Sequence, residues 1–341
     1  MADPGIAEDL VKVLRRPDGS PKLRPVHACG IGAGGFFVPA PIAAHYCVAA
    51  HFQNADQQTP VTVRFSNGSG CAVAHDGWSD VRGMATRFFL PGGTATDLIA
   101  MTLPEFFAPT PATFLQFALA ATPKPTKRQS PWAKLWDMLH LTQPLRNPYP
   151  GETISPDAGA IAFADHNAYA QNAVLAAAAI GAPVSYARAA YHAVHSFIIT
   201  DPKGVRRWVR FSWQPISGVL VTDPNATPQD EYLQDELRNR LAKGPAHFSL
   251  MMAIGETGDD HSDSSRAWPP HRPRITMGTL TLARVHDDQS ANSERLSFNP
   301  GLLTPGIDLS DDPVLRVRLE AYEISSKWRG GDACPFSKGA E

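Results

Sequence analysis

Near the C-terminal end of the chain, Arg318 and Tyr322 stand four residues apart in RLEAY. On a helix that spacing places them on one face. A cation beside a phenol favours the phenolate, a hard anionic ligand for ferric iron. Taken alone, the pair also reads as an ordinary surface contact between helix neighbours. Near the N-terminal end, His27 closes RPVH and leads into a run of mostly small residues. Small residues let a backbone come close to a flat ligand. Arg64 and Ser66 in RFS are two apart, which puts both on one face of a strand. The hydroxyl there can orient an imidazole, and the arginine can bind a carboxylate.

Other motifs fail on context. GIGAGG at 30–35 fits G-x-G-x-x-G, with Asp56 further on. A dinucleotide site needs those glycines between a buried strand and a helix. Here RPVHAC precedes them, and FFVPAP follows with prolines at 39 and 41. His261 and His271 lie near Asp259, Asp260 and Asp263 without the spacing of a metal-ligand set, so the stretch reads as a hydrated acidic loop. SNGSG at 66–70 is not the G-x-S-x-G elbow of a hydrolase.

Elements must position these residues. Residues 1–23 read as a short arm with one or two helical turns. Segments 60–66, 83–90 and 97–103 read as strands from alternation and β-branched or aromatic content. Segments 110–121 and 129–142 are apolar at helical spacing, and 166–180 is alanine-rich. Strand-like runs return at 191–200, 205–214, 246–254 and 274–285, with DPKG at 201–204 as a hairpin turn. Segment 229–243 is a charged amphipathic helix stopped by Gly244, and 312–329 is a last helix. The longest irregular stretch is 255–273, read as solvated loop. The pattern predicts an antiparallel sheet or barrel with added helices.

The 341 residues are 43% hydrophobic, with 31 basic against 33 acidic side chains. That balance makes no electrostatic case for nucleic acid or an anionic membrane. No stretch has 18 uninterrupted apolar residues, and the N-terminus has no signal-peptide run. The four cysteines, Cys29, Cys47, Cys71 and Cys334, show no C-x-x-C pair and no zinc spacing. The expectation is a cytoplasmic protein with reduced thiols.

In order along the chain, RPVHACGIGAGGFF, VRFSNGSG, DVRGMATRFF, DLIAMTLPEFF, HSFIITDPKGVRRWVRFSWQP, LSFNPGLLTPGI and RLEAY resemble segments of the haem catalase family. The chain is most similar to its small catalase-related peroxidases. The resemblance implies an α+β fold, a catalase-like antiparallel β-barrel with surrounding helices, forming a minimal haem domain over 24–330. An N-terminal arm over 1–23 and a C-terminal tail over 331–341 flank it. It implies haem b, with Tyr322 as the iron's axial ligand and Arg318 stabilising its phenolate. His27 becomes the distal acid–base group, and Ser66 the residue that orients it. Arg24, Arg64 and Arg329 are implied to pair with the haem propionates, and Val26, Phe114 and Phe298 to touch the haem. Phe106, Phe107 and Phe117 fall at haem-pocket phenylalanine positions.

The chain departs from the family at Met101, which stands where the distal asparagine is expected and cannot donate a hydrogen bond. Thr102 is the neighbouring candidate to replace part of that bond. The implied function is a haem peroxidase reducing organic hydroperoxides and hydrogen peroxide, with weak catalase activity. Its partners are the peroxide and an organic electron donor, with a homodimer as the candidate assembly. The alternatives are a true small catalase, an allene-oxide-synthase-like rearrangement of hydroperoxides, and a non-catalytic haem carrier or sensor.

Overall fold

The alternation predicted for 60–66 decides the architecture. In the computed structural model, which describes residues 5–15, 23–78, 80–121, 159–223, 226 and 228–330, strand β2 (Thr59–Asn67) turns Val61, Val63 and Phe65 to a buried core. Successive side chains of a strand point to opposite faces, so Thr62, Arg64 and Ser66 stand on the other face. That outer face is where chemistry-bearing residues collect. The apolar segment 129–142 and the tail 331–341 lie outside the described residues.

The strands are β1 (Gly30–Pro39), β2, β3 (Arg82–Phe89), β4 (Ala95–Met101), β5 (Tyr191–His192), β6 (Phe197–Thr200), β7 (Arg206–Pro215), β8 (Ala246–Ile254), β9 (Arg274–Val285) and β10 (Ile307–Leu309). Their order runs β10-β6-β7-β5-β4-β3-β2-β1-β9-β8, and a β7–β8 pairing closes eight of them into an antiparallel barrel. β6 shares an edge of β7 with β5, and β10 pairs with β6. Phe37, Phe65, Phe88, Trp213 and Phe248 fill the barrel. Each such side chain contributes about 1.5–3 kcal/mol relative to an exposed one.

The run expected at 191–200 is broken into β5 and β6. The break at 193–196 frees His195 from the ladder to reach a different element, described below. The DPKG turn joins β6 to β7. Asp201 Oδ1 accepts from the backbone N–H groups of Lys203 and Val205, and Gly204 takes φ 79°.

The helices are α1 (Ile6–Leu14), α2 (Ala43–Tyr46), α3 (Pro111–Ala121), α4 (Gly159–His166), α5 (Ala168–Ala179), α6 (Tyr232–Lys243) and α7 (Pro313–Trp328). The helix expected over 166–180 is α5, and α4 precedes it, with an extended Asn167 (φ −134°) between them. Asp312 caps α7, its Oδ1 accepting from the N–H groups of Val314 and Leu315 at 2.8 and 3.2 Å, with Pro313 at the first helical position. α1, α3 and α7 pack into a second cluster outside the barrel, built on Leu10, Phe106, Phe114, Val314 and Val317. The fold is the expected α+β barrel with surrounding helices. No helix among the described residues is long and apolar enough to cross a membrane.

Two readings of the sequence change. The small residues after His27 lie inside β1, between β2 and β9, where they make room for side chains. A Cβ on Gly30 would lie 2.8 Å from the Arg64 guanidinium, and one on Gly32 would lie 2.4 Å from Ser293 Cβ. The acidic stretch in 255–273 is organised rather than merely solvated. Asp259 binds Arg272 at 2.7 Å, and buried Arg210 donates to the carbonyl oxygens of Arg266 and Asp263. His261 stacks on Trp208 at 3.8 Å, and among the described residues no cluster of three or more His, Cys, Asp or Glu side chains could hold a metal ion.

Candidate functional site

A cavity of about 1010 Å³ lies between the outer face of the barrel and the helical cluster. Its lining includes His27, Ser66, Met101, Arg24, Val26, Arg64, Phe114, Phe298, Arg318, Arg329 and Tyr322. The structure thus brings all the candidate site residues to one cavity from six separate stretches of chain. The volume is at the upper end of the roughly 300–1,000 Å³ of ordinary ligand pockets.

On the barrel side, Ser66 Oγ lies 3.0 Å from His27 Nδ1. Gly83 makes the arrangement possible: a Cβ there would lie 2.8 Å from Ser66 Oγ and 2.9 Å from His27 Cε1. His27 has φ 57°, a left-handed conformation that a residue with a Cβ adopts only when its surroundings enforce it. The enforcement is visible. His27 N donates to the Gly68 carbonyl at 3.0 Å, and Arg64 Nη1 donates to the His27 carbonyl at 3.0 Å. Burial, with the charges of Arg64 and Arg318 behind it, pushes His27 down to about 3. The imidazole is therefore neutral and a proton acceptor near neutral pH.

The three arginines expected at haem carboxylates are already tied to the protein. Arg64 Nε donates to Glu294 Oε1 at 2.7 Å, while Nη1 and Nη2 donate to the His27 and Ala28 carbonyls. All three of its guanidinium nitrogens are thereby engaged. Arg24 pairs with Glu294 and donates to the Ser293, Glu294 and Leu296 carbonyls. Arg329 donates to the Glu294 and Ser325 carbonyls. Glu294 sits in a π-turn over Ser290–Glu294. Nothing in the sequence pattern singles it out, because its partners are 230 and 270 residues away.

On the helical side, Arg318 Nη2 donates to Tyr322 Oη at 3.1 Å, as the four-residue spacing implies. Arg318 Nη1 lies 2.6 Å from His195 Nε2, and His195 Nδ1 lies 2.6 Å from Asp312 Oδ2. Arg318 can only donate, so His195 Nε2 accepts and its Nδ1–H donates to Asp312. Burial pushes His195 down to about 4 against the opposing pull of Asp312, which keeps that neutral tautomer. Asp312, His195, Arg318 and Tyr322 form a continuous chain of charge-assisted bonds that ends at the phenol oxygen. The sequence reading missed His195 and Asp312. The available signal was Asp312-Pro313 as a helix cap, which marks the residue's place but not its partner.

Around the cavity, Phe106 packs edge-on against Phe114 at 5.1 Å, and Phe107 stacks on Phe117 at 4.0 Å. The buried Arg87–Asp97 pair holds the Arg87 guanidinium 5.4 Å from the Phe298 ring. Met101 lies on the cavity wall, paired across the sheet with Gly83 and His192. Thr102 does not replace the hydrogen bond that Met101 lacks. Its Oγ1 accepts from the Arg82 backbone N–H at 3.0 Å, and it does not line the cavity.

The donor set fits a ferric haem. A tyrosine oxygen backed by a guanidinium suits hard Fe(III). Aromatic walls suit a macrocycle, and the neutral, oriented imidazole supplies a base. Catalase iron is itself held by tyrosine.

The catalase family model matches residues 22–334. A catalase-related peroxidase of Mycolicibacterium paratuberculosis is 31% identical over 95% of this chain and 95% of its own length. One of Synechococcus elongatus is 28% identical over 88% of this chain and 81% of its own. Catalase-2 of Bacillus subtilis is 29% identical over 88% of this chain, which spans only 42% of that protein. A crystal structure of a fungal catalase shares the fold, with a TM-score of 0.74 and 22% identity over 91% of this chain and 60% of that one.

Proposed function

The chain belongs to the catalase family, and from that premise we propose that it is a haem b peroxidase. It reduces organic hydroperoxides and hydrogen peroxide with electrons from an organic donor, and it has only weak catalase activity. One observation carries the reading: the His27–Ser66 pair and the Arg318–Tyr322 pair, 252 residues apart between Ser66 and Arg318, line the same cavity. Two relatives named catalase-related peroxidases, 31% and 28% identical, support the reading.

Tyr322 Oη would hold the iron and Arg318 would keep a positive charge against that oxygen. The bound haem would supply the redox chemistry by accepting and returning electrons at iron. His27, with Nδ1 turned to Ser66, leaves Nε2 for the substrate. It takes the proton from one peroxide oxygen and returns it to the departing one, so that water or an alcohol leaves. Ser66 fixes the ring for both transfers. Met101 in place of a hydrogen-bonding side chain leaves a second small polar peroxide poorly held, while an apolar peroxide or donor loses little. The free thiols of Cys29, Cys47 and Cys71 fit a reducing, cytoplasmic setting.

An absorption spectrum of the purified protein tests the reading, with Tyr322→Phe as the comparison. The wild type should show a Soret band of high-spin ferric haem, and the variant should lose or greatly weaken it. Full haem occupancy with an unchanged spectrum in the variant would remove Tyr322 as the iron ligand.

A further inference from the structure

One cross-strand row on the outer face of the barrel carries a polar side chain that the proposed chemistry does not use. Ser66 pairs with Gly83, Gly83 with Met101, and Met101 with His192. Directly paired residues on neighbouring strands share a face, and all four residues line the cavity. Strands lie about 4.8 Å apart, so His192 stands roughly 10 Å along the row from Gly83. The ring of His27 lies against Gly83. The row therefore has an imidazole near each end and the Met101 thioether between them.

The His192 ring has no hydrogen-bond partner among the described residues. Burial, with the nearby charge of Arg274 adding to it, pushes the ring down to about 4, so it is neutral near pH 7. The ring is only partly buried and lines the cavity, so its nitrogens are open to a bond with whatever enters there. Met101, its strand partner, packs into the apolar cluster that holds Phe106 and Phe107, which also line the cavity. The arrangement suits a molecule with one hydroxyl and a flat apolar body. A neutral imidazole offers no charge to hold a carboxylate. A hydroxyl can donate to it or accept from it, whichever tautomer is present.

We propose that His192 is the docking group for the reductant: it hydrogen-bonds the hydroxyl of a neutral phenol whose ring lies along the apolar stretch beside Met101. The proposal rests on the peroxidase reading, in which an organic donor must enter the same cavity as the peroxide.

Calorimetric titration of the haem-loaded protein with guaiacol, and with its O-methylated relative veratrole, tests it. The wild type should bind guaiacol about threefold to tenfold more tightly than veratrole, the worth of one net hydrogen bond. His192→Phe should abolish that preference without changing haem content, and His192→Gln, which keeps a donor and an acceptor, should retain part of it. Should His192→Phe fold poorly, His192→Leu takes its place. An unchanged preference in the apolar variant, equal binding of the two probes by the wild type, or no guaiacol binding at all would each overturn the proposal. Turnover is measured separately. A wild type with the His192-dependent preference but no peroxide consumption would sink the peroxidase reading and leave the phenol site standing. Peroxide consumption without the preference would do the reverse.

Discussion

Arg64 donates from Nη1 to the carbonyl oxygen of His27 at 3.0 Å, and so pins a histidine whose φ of 57° is otherwise unfavourable. Its Nη2 reaches the next carbonyl, and its Nε is anchored on Glu294. A planar guanidinium can span three acceptors in this way, whereas an ammonium cannot. We expect Arg64→Lys to keep its haem but to react with peroxide about tenfold to a hundredfold more slowly, the usual effect of a misplaced catalytic group. His27→Ala sets the scale, with a loss of about 10²–10⁴-fold. Rapid mixing with peroxide measures both. An unchanged rate in Arg64→Lys would mean that the other contacts alone hold His27.

Asp312 serves two structures at once, capping α7 and accepting from His195. Asp312→Ala should lose about 0.5–2 kcal/mol from the cap. Leaving the buried His195 donor without a partner should cost about 1–3 kcal/mol more. Asp312→Asn, itself a good cap and still an acceptor, should recover most of the stability while altering the haem spectrum through Arg318. Urea unfolding together with the visible spectrum separates the two effects. Equal stability of the alanine variant and wild type would show that neither contact matters to folding.

Met101 sets the balance of reactions. One absent hydrogen bond is worth roughly 0.5–1.5 kcal/mol, up to about tenfold in rate. Met101→Asn should raise oxygen evolution from hydrogen peroxide by up to that factor, and should change oxidation of a chromogenic donor less. Because Thr102 does not line the cavity, it cannot mask the effect. Rapid oxygen evolution by the wild type, with no gain in the variant, would mark the protein as a small catalase.

His51 is buried in the barrel core against Phe52 and Phe88, with ring centroids 4.0 and 4.8 Å apart, and its Nδ1 has no partner. Burial pushes it down to about 3. Above pH 6.5 neither the folded nor the unfolded form binds a proton there, and the histidine's contribution to stability is constant. As pH falls from 6.5 towards 3, the unfolded chain takes up a proton that the folded one refuses. Stability should then fall by about 1.4 kcal/mol per pH unit from this group. His51→Leu, similar in size, should narrow the difference in melting temperature between pH 7.5 and pH 5. If the difference is the same in both proteins, His51 is not a source of acid sensitivity.

What the sequence determined by itself was local. Arg318 and Tyr322 share a face because the helix repeats every 3.6 residues, and Arg64 and Ser66 because a strand repeats every two. The same periodicities marked the barrel strands and the last helix. The break between β5 and β6 was not legible, since Ala193, Val194, His195 and Ser196 at its centre include no proline or glycine to mark it. Only the closed barrel decided which distant residues meet. It joined His195 to Asp312 across 117 residues and Arg64 to Glu294 across 230. It turned Thr102 towards the Arg82 backbone and placed His192 in the row of Ser66 and Met101. Such contacts depend on strand order, register and the packing of α7, which no short-range pattern of residues encodes.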